Sequence, residues 1–394
     1  MKISKSAVHW KARALPEIRF EDQQLTSFAG LVVFQPLFER LALKKQLAGC
    51  FAHLKVSPIF GHGAIVMLLI VHLLIGYRRL SDLRFYEDDP LVKRVLGLKR
   101  LPDVATVSRT LEGVDRQALR AQRELSRSIV LERLKRLAPA RVTLDFDGSV
   151  LGTTRFAEGT AVGYNRKKKG QRSYYPLFCT VAQTGQVLDV WHRPGNVHDS
   201  NGARRFWHRA DRTTRFFACR WKPKCWDRER RFLFIRTREP RQRKEPVQLR
   251  LFAPCEYGFQ FKMILTNMSL SARKVLALHN GRGAQEGIFA ELKSQTQMDY
   301  VPCKRLAANQ TWLLAAIMAH NLNRKLQMSV EEPTRSTTEQ RMPWWTFVRL
   351  GTRRMNLIQR AGRLTRPNGC LTLTMSANPA VQSELLHYLK ALAA

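Results

Sequence analysis

The chain has 394 residues, 44% of them hydrophobic, and carries 67 Lys and Arg against 31 Asp and Glu, a formal charge of +36. That length and apolar content exclude a disordered chain and allow two or three domains with a real core. So large a cation excess is costly in self-repulsion unless the partner is a polyanion, with nucleic acid first and an anionic membrane second.

Seven cysteines lack regular spacing, and Cys219 and Cys225 have no companion Cys or His pair, which argues against zinc and for reduced thiols in a cytoplasmic protein. The start, "MKISKSAVHWKARALPEIRF", has no apolar core and no cleavage signal. Residues 1–140 read as mostly helical. The most apolar run, Ala64 to Gly76, contains His72 and is shorter than the ~20 residues a membrane span needs, so it predicts a buried helix and no membrane partner. "LPDVATVSRTLEGV", Leu101 to Val114, reads either as the turn and second helix of a helix-turn-helix or as an ordinary capped helix. In both readings Val107 and Leu111 face inward while Ser108 and Arg109 face out.

At Arg141 the pattern changes to alternation. "RVTLDFDGSVLG" puts Val142, Leu144 and Phe146 on one strand face and Thr143, Asp145 and Asp147 on the other. Tyr174 to Arg193 predicts two strands joined at Thr184-Gly185, and a helix start follows with Asp199 or Ser200 as cap. From Trp221 to Asn267 the chain is basic and β-rich. A helix is expected from His279, and another over "NQTWLLAAIMAHNLNRKLQ", whose basic end suits a helix C-terminus. Beyond about 330 the pattern predicts a linker, a basic helix from Trp344 to Arg363 and a short strand in "CLTLTMSANP".

Three stretches could carry chemistry. Asp145 and Asp147 point the same way from one strand, where two carboxylates repel unless a cation lies between them; the alternative is a solvated pair at a strand end. Arg282, Glu286 and Lys293 span eleven residues, close to three helical turns, and so share a face, whereas Glu291 falls off that stripe. Such a face can hold a divalent metal with cations beside it for phosphates, or it can be an ordinary salt-bridged helix. The loop "NRKKKGQR", Asn165 to Arg172, has five Lys or Arg in eight residues, namely Arg166, Lys167, Lys168, Lys169 and Arg172. Tyr164, Tyr174 and Tyr175 flank it, which fits a phosphate clamp as well as a solvated hairpin tip.

The spacing His-x2-Arg-x3-Glu-x6-Lys, carried by His279, Arg282, Glu286 and Lys293, resembles the Tyr-x2-Arg-x3-Glu-x6-Lys signature of DDE transposases of bacterial insertion sequences, with His279 in place of the usual Tyr. "TLDFDGS" is similar to their first-acid strand. "GYNRKKKGQRSYYPLF" and "RPGNVHDSNGA" resemble the insertion sequence 1380 family in particular. The resemblance implies an α/β fold: a ribonuclease-H-like catalytic core at 141–330 with a β-rich insertion at about 215–268, preceded by an α-helical DNA-binding region at 1–140 and followed by a basic region at 331–394. It implies two Mg²⁺ or Mn²⁺ ions roughly 4 Å apart on three carboxylates, and no protein nucleophile. Asp147, helped by Asp145, would be the first acid and Glu286 the last, with His279, Arg282 and Lys293 near the transferred DNA end. The implied partners are double-stranded transposon ends and target DNA, with a homodimer on paired ends.

The second acid breaks the pattern. Only twenty residues, Asn201 to Arg220, separate the helix start from the β-rich insertion, too few for a helix, a core strand, the acid and a further helix. Asp211 is the nearest candidate for that acid and third metal ligand. The chain therefore reads as lacking a block of the catalytic domain. Three functions stay open: a transposase that cleaves and joins DNA, a DNA-binding remnant without the second metal-binding Asp, or a nuclease on a similar fold that shares the metals but lacks strand transfer.

Overall fold

The computed structural model describes residues 21, 23–55, 59–140, 142–163, 165, 168–197, 215–222, 228–238, 255–256, 259–272, 275–276, 283–335 and 342–393. A two-residue strand β1 (Leu25–Thr26) leads into α1 (Phe34–Arg40), α2 (Leu43–Cys50), α3 (His62–Ile75), α4 (Pro90–Leu96), α5 (Val104–Glu112) and α6 (Arg116–Leu137). Helix α3 is apolar on every side, and a helix of that kind survives only when wrapped by others. It is buried from Ile65 to Ile75, and left-handed Gly76 (φ 108°) ends it. Inside it, His72 shares a 2.8 Å hydrogen bond with the Tyr86 hydroxyl and meets Trp312 edge-on. Asp89, Asp103 and Asp115 cap α4, α5 and α6 by accepting from main-chain N–H groups of their first turns.

The next stretch builds two three-stranded antiparallel sheets. One has the order β2 (Leu144–Gly148), β6 (Leu177–Val181), β7 (Gln186–Trp191). The other is smaller, ordered β3 (Leu151–Gly152), β5 (Arg172–Tyr174), β4 (Ala161–Val162). The β6–β7 turn falls at the expected Thr184-Gly185, with Gly185 at φ 59°. The basic, β-rich tract forms its own antiparallel sheet, ordered β10 (Cys255–Glu256), β11 (Phe259–Thr266), β9 (Arg230–Arg238), β8 (Arg215–Trp221). It has a small separate core of Leu233, Ile235, Ile264 and Val275.

Two helices follow, α7 (Gly283–Gln295) and α8 (Leu306–Met328), the second buried along nearly its whole length. Helix α8 packs on α3, α5, α6 and β7. Asn321 clamps it to the sheet, accepting from Val187 N–H at 2.9 Å and donating to Val187 O at 2.8 Å. The main hydrophobic cluster runs without a break from Phe28 through Phe178, Leu292 and Trp312 to Leu392, so the helical region, the β2 sheet and the C-terminal stretch share one core. Among the described residues no helix is long and apolar enough to cross a membrane.

The C-terminal part folds back over the N-terminal helices. Strand β12 (Gly362–Thr365) lies between β1 and β13 (Thr372–Met375), and α10 (Pro379–Ala393) follows. A Cβ on Gly30 would fall 1.8 Å from Leu357 O, so only glycine allows that approach. The basic helix expected from Trp344 to Arg363 shrinks to α9 (Leu350–Arg353) and one wide turn over Arg354–Ile358. The reason lies in the first i→i+4 bond such a helix needs: Val348 N–H bonds Gln327 Oε1 and Trp344 O accepts from Arg335 N–H, so that bond is not made.

Candidate functional site: the β2 carboxylates and helix α7

Strand β2 keeps the alternation read from the sequence, but its polar side faces the protein. Thr143 and Asp145 are buried and Asp147 is half-buried, whereas Val142, Leu144 and Phe146 are 42%, 40% and 60% exposed. Among the described residues β2 pairs with β6 alone, which makes it an edge strand. At its end the Asp147 carboxylate accepts from Gly148 N–H at 2.9 Å. Gly148 lies under the Tyr175 ring, where a Cβ would come within 2.4 Å of Cζ. The Arg193 guanidinium stacks on Tyr175, 5.4 Å from the ring centroid, and donates to Tyr175 O. A guanidinium-faced aromatic therefore borders the Asp147 end of the strand.

Helix α7 packs against the face of the sheet that carries the two aspartates. Asp147 and Phe178 are register partners and so point the same way, and the Phe178 ring meets Phe289 of α7 at 5.2 Å between centroids. One turn earlier, the Gln285 side-chain amide donates to the Asp145 carbonyl at 3.2 Å. Glu286, the next residue, is exposed in the first turn of α7, three positions before Phe289. The tie through Gln285 is one that sequence reasoning missed. Its only sequence signal is a polar residue adjacent to Glu286.

The two glutamates of α7 have opposite environments. Glu291 is buried and hydrogen-bonded to the Arg324 guanidinium, and its second oxygen accepts from Leu350 N–H at 3.3 Å. Glu291 is thus a tie between α7, α8 and α9, and Glu286 is the glutamate left at the surface. Lys293 is half-buried in the last turn. A third acid of the sheet, Asp189, is held by Arg123 (2.5 and 2.8 Å) and Arg127 (2.6 Å) of α6. Burial first, then the Asp189 and Asp145 carboxylates, pushes the neighbouring Cys179 thiol up to about 12, which makes it a poor nucleophile.

Asp211, His279, Arg282, Arg166 and Lys167 lie outside the described residues. Lys168, Lys169 and Arg172 are exposed on the β4–β5 connection and β5. Arg109 is exposed on α5 and folds back toward Ala105 O and Thr106 Oγ1, while Val107 and Leu111 are buried as the pattern requires. Carboxylate oxygens suit a hard divalent cation such as Mg²⁺ or Mn²⁺. Among the described residues, however, no three Asp, Glu, His or Cys side chains gather as a metal-binding group. The donor type fits and the set is short of complete.

The chain matches the family described as transposase DDE domain group 1 over residues 11–216 and again over residues 205–394. No curated protein matches it. The two matched segments leave out only the first ten residues, and the chain belongs to the transposase DDE domain group 1 family.

Proposed function

We propose that this protein is a DNA transposase that binds the ends of an insertion sequence of the 1380 type and cleaves and joins DNA with divalent metal ions. The reading rests on the packing of α7 over the Asp145 and Asp147 face of β2 through the Gln285 and Phe289 contacts. In it, 141–330 is a ribonuclease-H-like catalytic domain with its insertion at about 215–268. The helical region 1–140 and the basic region 331–394 add DNA contacts, two copies work on paired ends, and the protein is cytoplasmic. Asp147 and Glu286 are the metal-holding carboxylates, Asp145 supports Asp147, and Asp211 is the remaining candidate. Bound there, two Mg²⁺ ions would activate a water or DNA hydroxyl and steady the leaving oxygen. The chain's own residues position the phosphodiester: His279, Arg282 and Lys293 along α7 and its approach, Arg166, Lys167, Lys168, Lys169 and Arg172 from the basic loop, and Arg109 from α5.

A second reading has its own support. The two family matches meet at residues 205–216, inside the stretch read from the sequence as too short for the block carrying the second acid. An exposed stripe of Val142, Leu144 and Phe146 on a strand that is an edge among the described residues is compatible with this second reading. In this reading the protein binds transposon ends without cutting them.

The test is purified protein with Mg²⁺ or Mn²⁺ and DNA bearing the element's ends. Cleavage abolished by Asp147→Asn and by Glu286→Gln, with binding kept, supports the transposase. Binding without cleavage by the unaltered protein supports the remnant, and cleavage that survives both substitutions refutes the site.

A further inference from the structure

Phe156 is 69% exposed, the second most exposed large hydrophobic residue among those described, and it lies on a loop that is tightly fixed. Thr153 Oγ1 accepts from Arg155 N–H at 3.1 Å and donates to Arg155 O at 2.9 Å. Beyond the ring, Ala157 is buried, Glu158 N–H donates to Lys304 O at 2.7 Å, and the Glu158 carboxylate accepts from Leu306 N–H at the start of α8 at 3.1 Å. The Tyr174 hydroxyl donates to Glu158 O. The phenyl ring is therefore presented to solvent by a loop anchored on both sides.

Above that ring, 5.4 Å from its centroid, sits the Arg172 guanidinium. Its position is set by hydrogen bonds from Nε and Nη2 to the hydroxyl and carbonyl of Thr160. The guanidinium takes one side of the ring, and the residue as a whole remains 69% exposed. Thr153, Thr154, Arg155, Phe156, Gly170, Gln171 and Arg172 together line a cleft of about 360 Å³, at the small end of ligand pockets. Neither Arg155 nor Arg172 pairs with a carboxylate among the described residues, and Lys168 and Lys169 stand exposed next in the chain.

An exposed aromatic ring backed by a fixed guanidinium and bordered by exposed cations matches the demands of a planar, π-faced ligand carrying a negative charge. We infer that the Phe156 cleft takes one unpaired nucleobase of a DNA strand, stacked on the ring opposite Arg172, with an adjoining phosphate against Arg155. Bases inside a duplex are already stacked on each other, so the occupant is a base at a strand end or one displaced from the helix. This inference rests on the DNA-binding reading above and adds a subsite to it.

The experiment compares two DNA probes by fluorescence anisotropy: a blunt 20-base-pair duplex and the same duplex with a three-nucleotide 3′ overhang containing 2-aminopurine. The unaltered protein should bind the overhang probe more tightly and quench the 2-aminopurine. Phe156→Ala should weaken overhang binding roughly 5- to 150-fold, the equivalent of about 1–3 kcal/mol of base stacking, and remove the quenching. It should leave the blunt duplex unaffected, and Phe156→Trp should restore both signals. The ring is exposed, so neither substitution removes a core side chain. Equal affinity of Phe156→Ala and the unaltered protein for the overhang, or an equal loss on both probes, overturns the stacking site while leaving DNA binding intact. No binding of either probe by the unaltered protein overturns the stacking site and the DNA-binding reading together.

Discussion

Removing Glu291 should unfold more of this protein than removing Glu286, although the two are five residues apart on one helix. The Glu291 and Arg324 side chains are 4% and 8% exposed, and Leu350 N–H also bonds the carboxylate. Burial depresses the Arg324 pKa and Glu291 raises it, yet the guanidinium remains charged at any physiological pH. Its face is stacked 4.2 Å over Phe347, and its Nε has no hydrogen-bond partner among the described residues. Deleting Glu291 therefore leaves a buried charge uncompensated, a loss of about 3–5 kcal/mol, whereas replacing both partners with apolar groups of similar volume is close to neutral. Urea unfolding of Glu291→Leu, Arg324→Met and the double variant measures the coupling directly. Each single variant should lose several kcal/mol and the double variant should recover most of it. Glu286→Gln, on an exposed site, should stay within about 0.5 kcal/mol of the unaltered protein. A Glu291→Leu loss below about 1 kcal/mol, or a double variant no better than the singles, would falsify the assignment of Glu291 to architecture.

Two further outcomes follow from the same physics. His72 and His320 are fully buried, and desolvation pulls both from 6.5 down to about 4. The unfolded chain takes up protons on these rings at about 6.5 and the folded chain resists until about 4, so stability is lost as pH falls through that window. The loss is about 2 kcal/mol per histidine at pH 5, with no contribution above pH 7. His320→Gln, which can still donate to Gly185 O, should flatten the pH 5–7 limb of urea stability; an unchanged limb contradicts this. With a formal charge of +36, DNA affinity should fall by orders of magnitude, roughly 10³-fold or more if six phosphates are neutralised, between 50 and 200 mM salt. Affinity that is flat over that range contradicts electrostatic binding.

Local patterns in the sequence carried over well where one element decides its own fate. The apolar run at Ala64–Gly76 became the core helix α3, and Thr184-Gly185 became the β6–β7 turn. The three-turn spacing separated Glu286 from Glu291 correctly, but nothing local shows that Arg324 of α8 neutralises Glu291. The β2 alternation was legible; which face turns inward was not, because α7 packs on the polar side through Gln285 and Phe289. The tract from Trp344 misled because Val348 N–H and Trp344 O are taken by Gln327 and Arg335, partners outside the tract. Strand β1 was invisible for a related reason: two residues pair only because β12 lies beside them. The Phe156 cleft had no motif, since a lone phenylalanine in a loop acquires meaning only from Arg172 above it.

In the proposed function α7 brings Glu286 to the aspartates of β2 so that they hold divalent ions together. Electron paramagnetic resonance of free Mn²⁺ titrated with the protein measures this without DNA or turnover. The unaltered protein should take Mn²⁺ out of solution, and Asp147→Asn and Glu286→Gln should each release it. Identical Mn²⁺ uptake by all three proteins, or no uptake by any, contradicts a shared metal site.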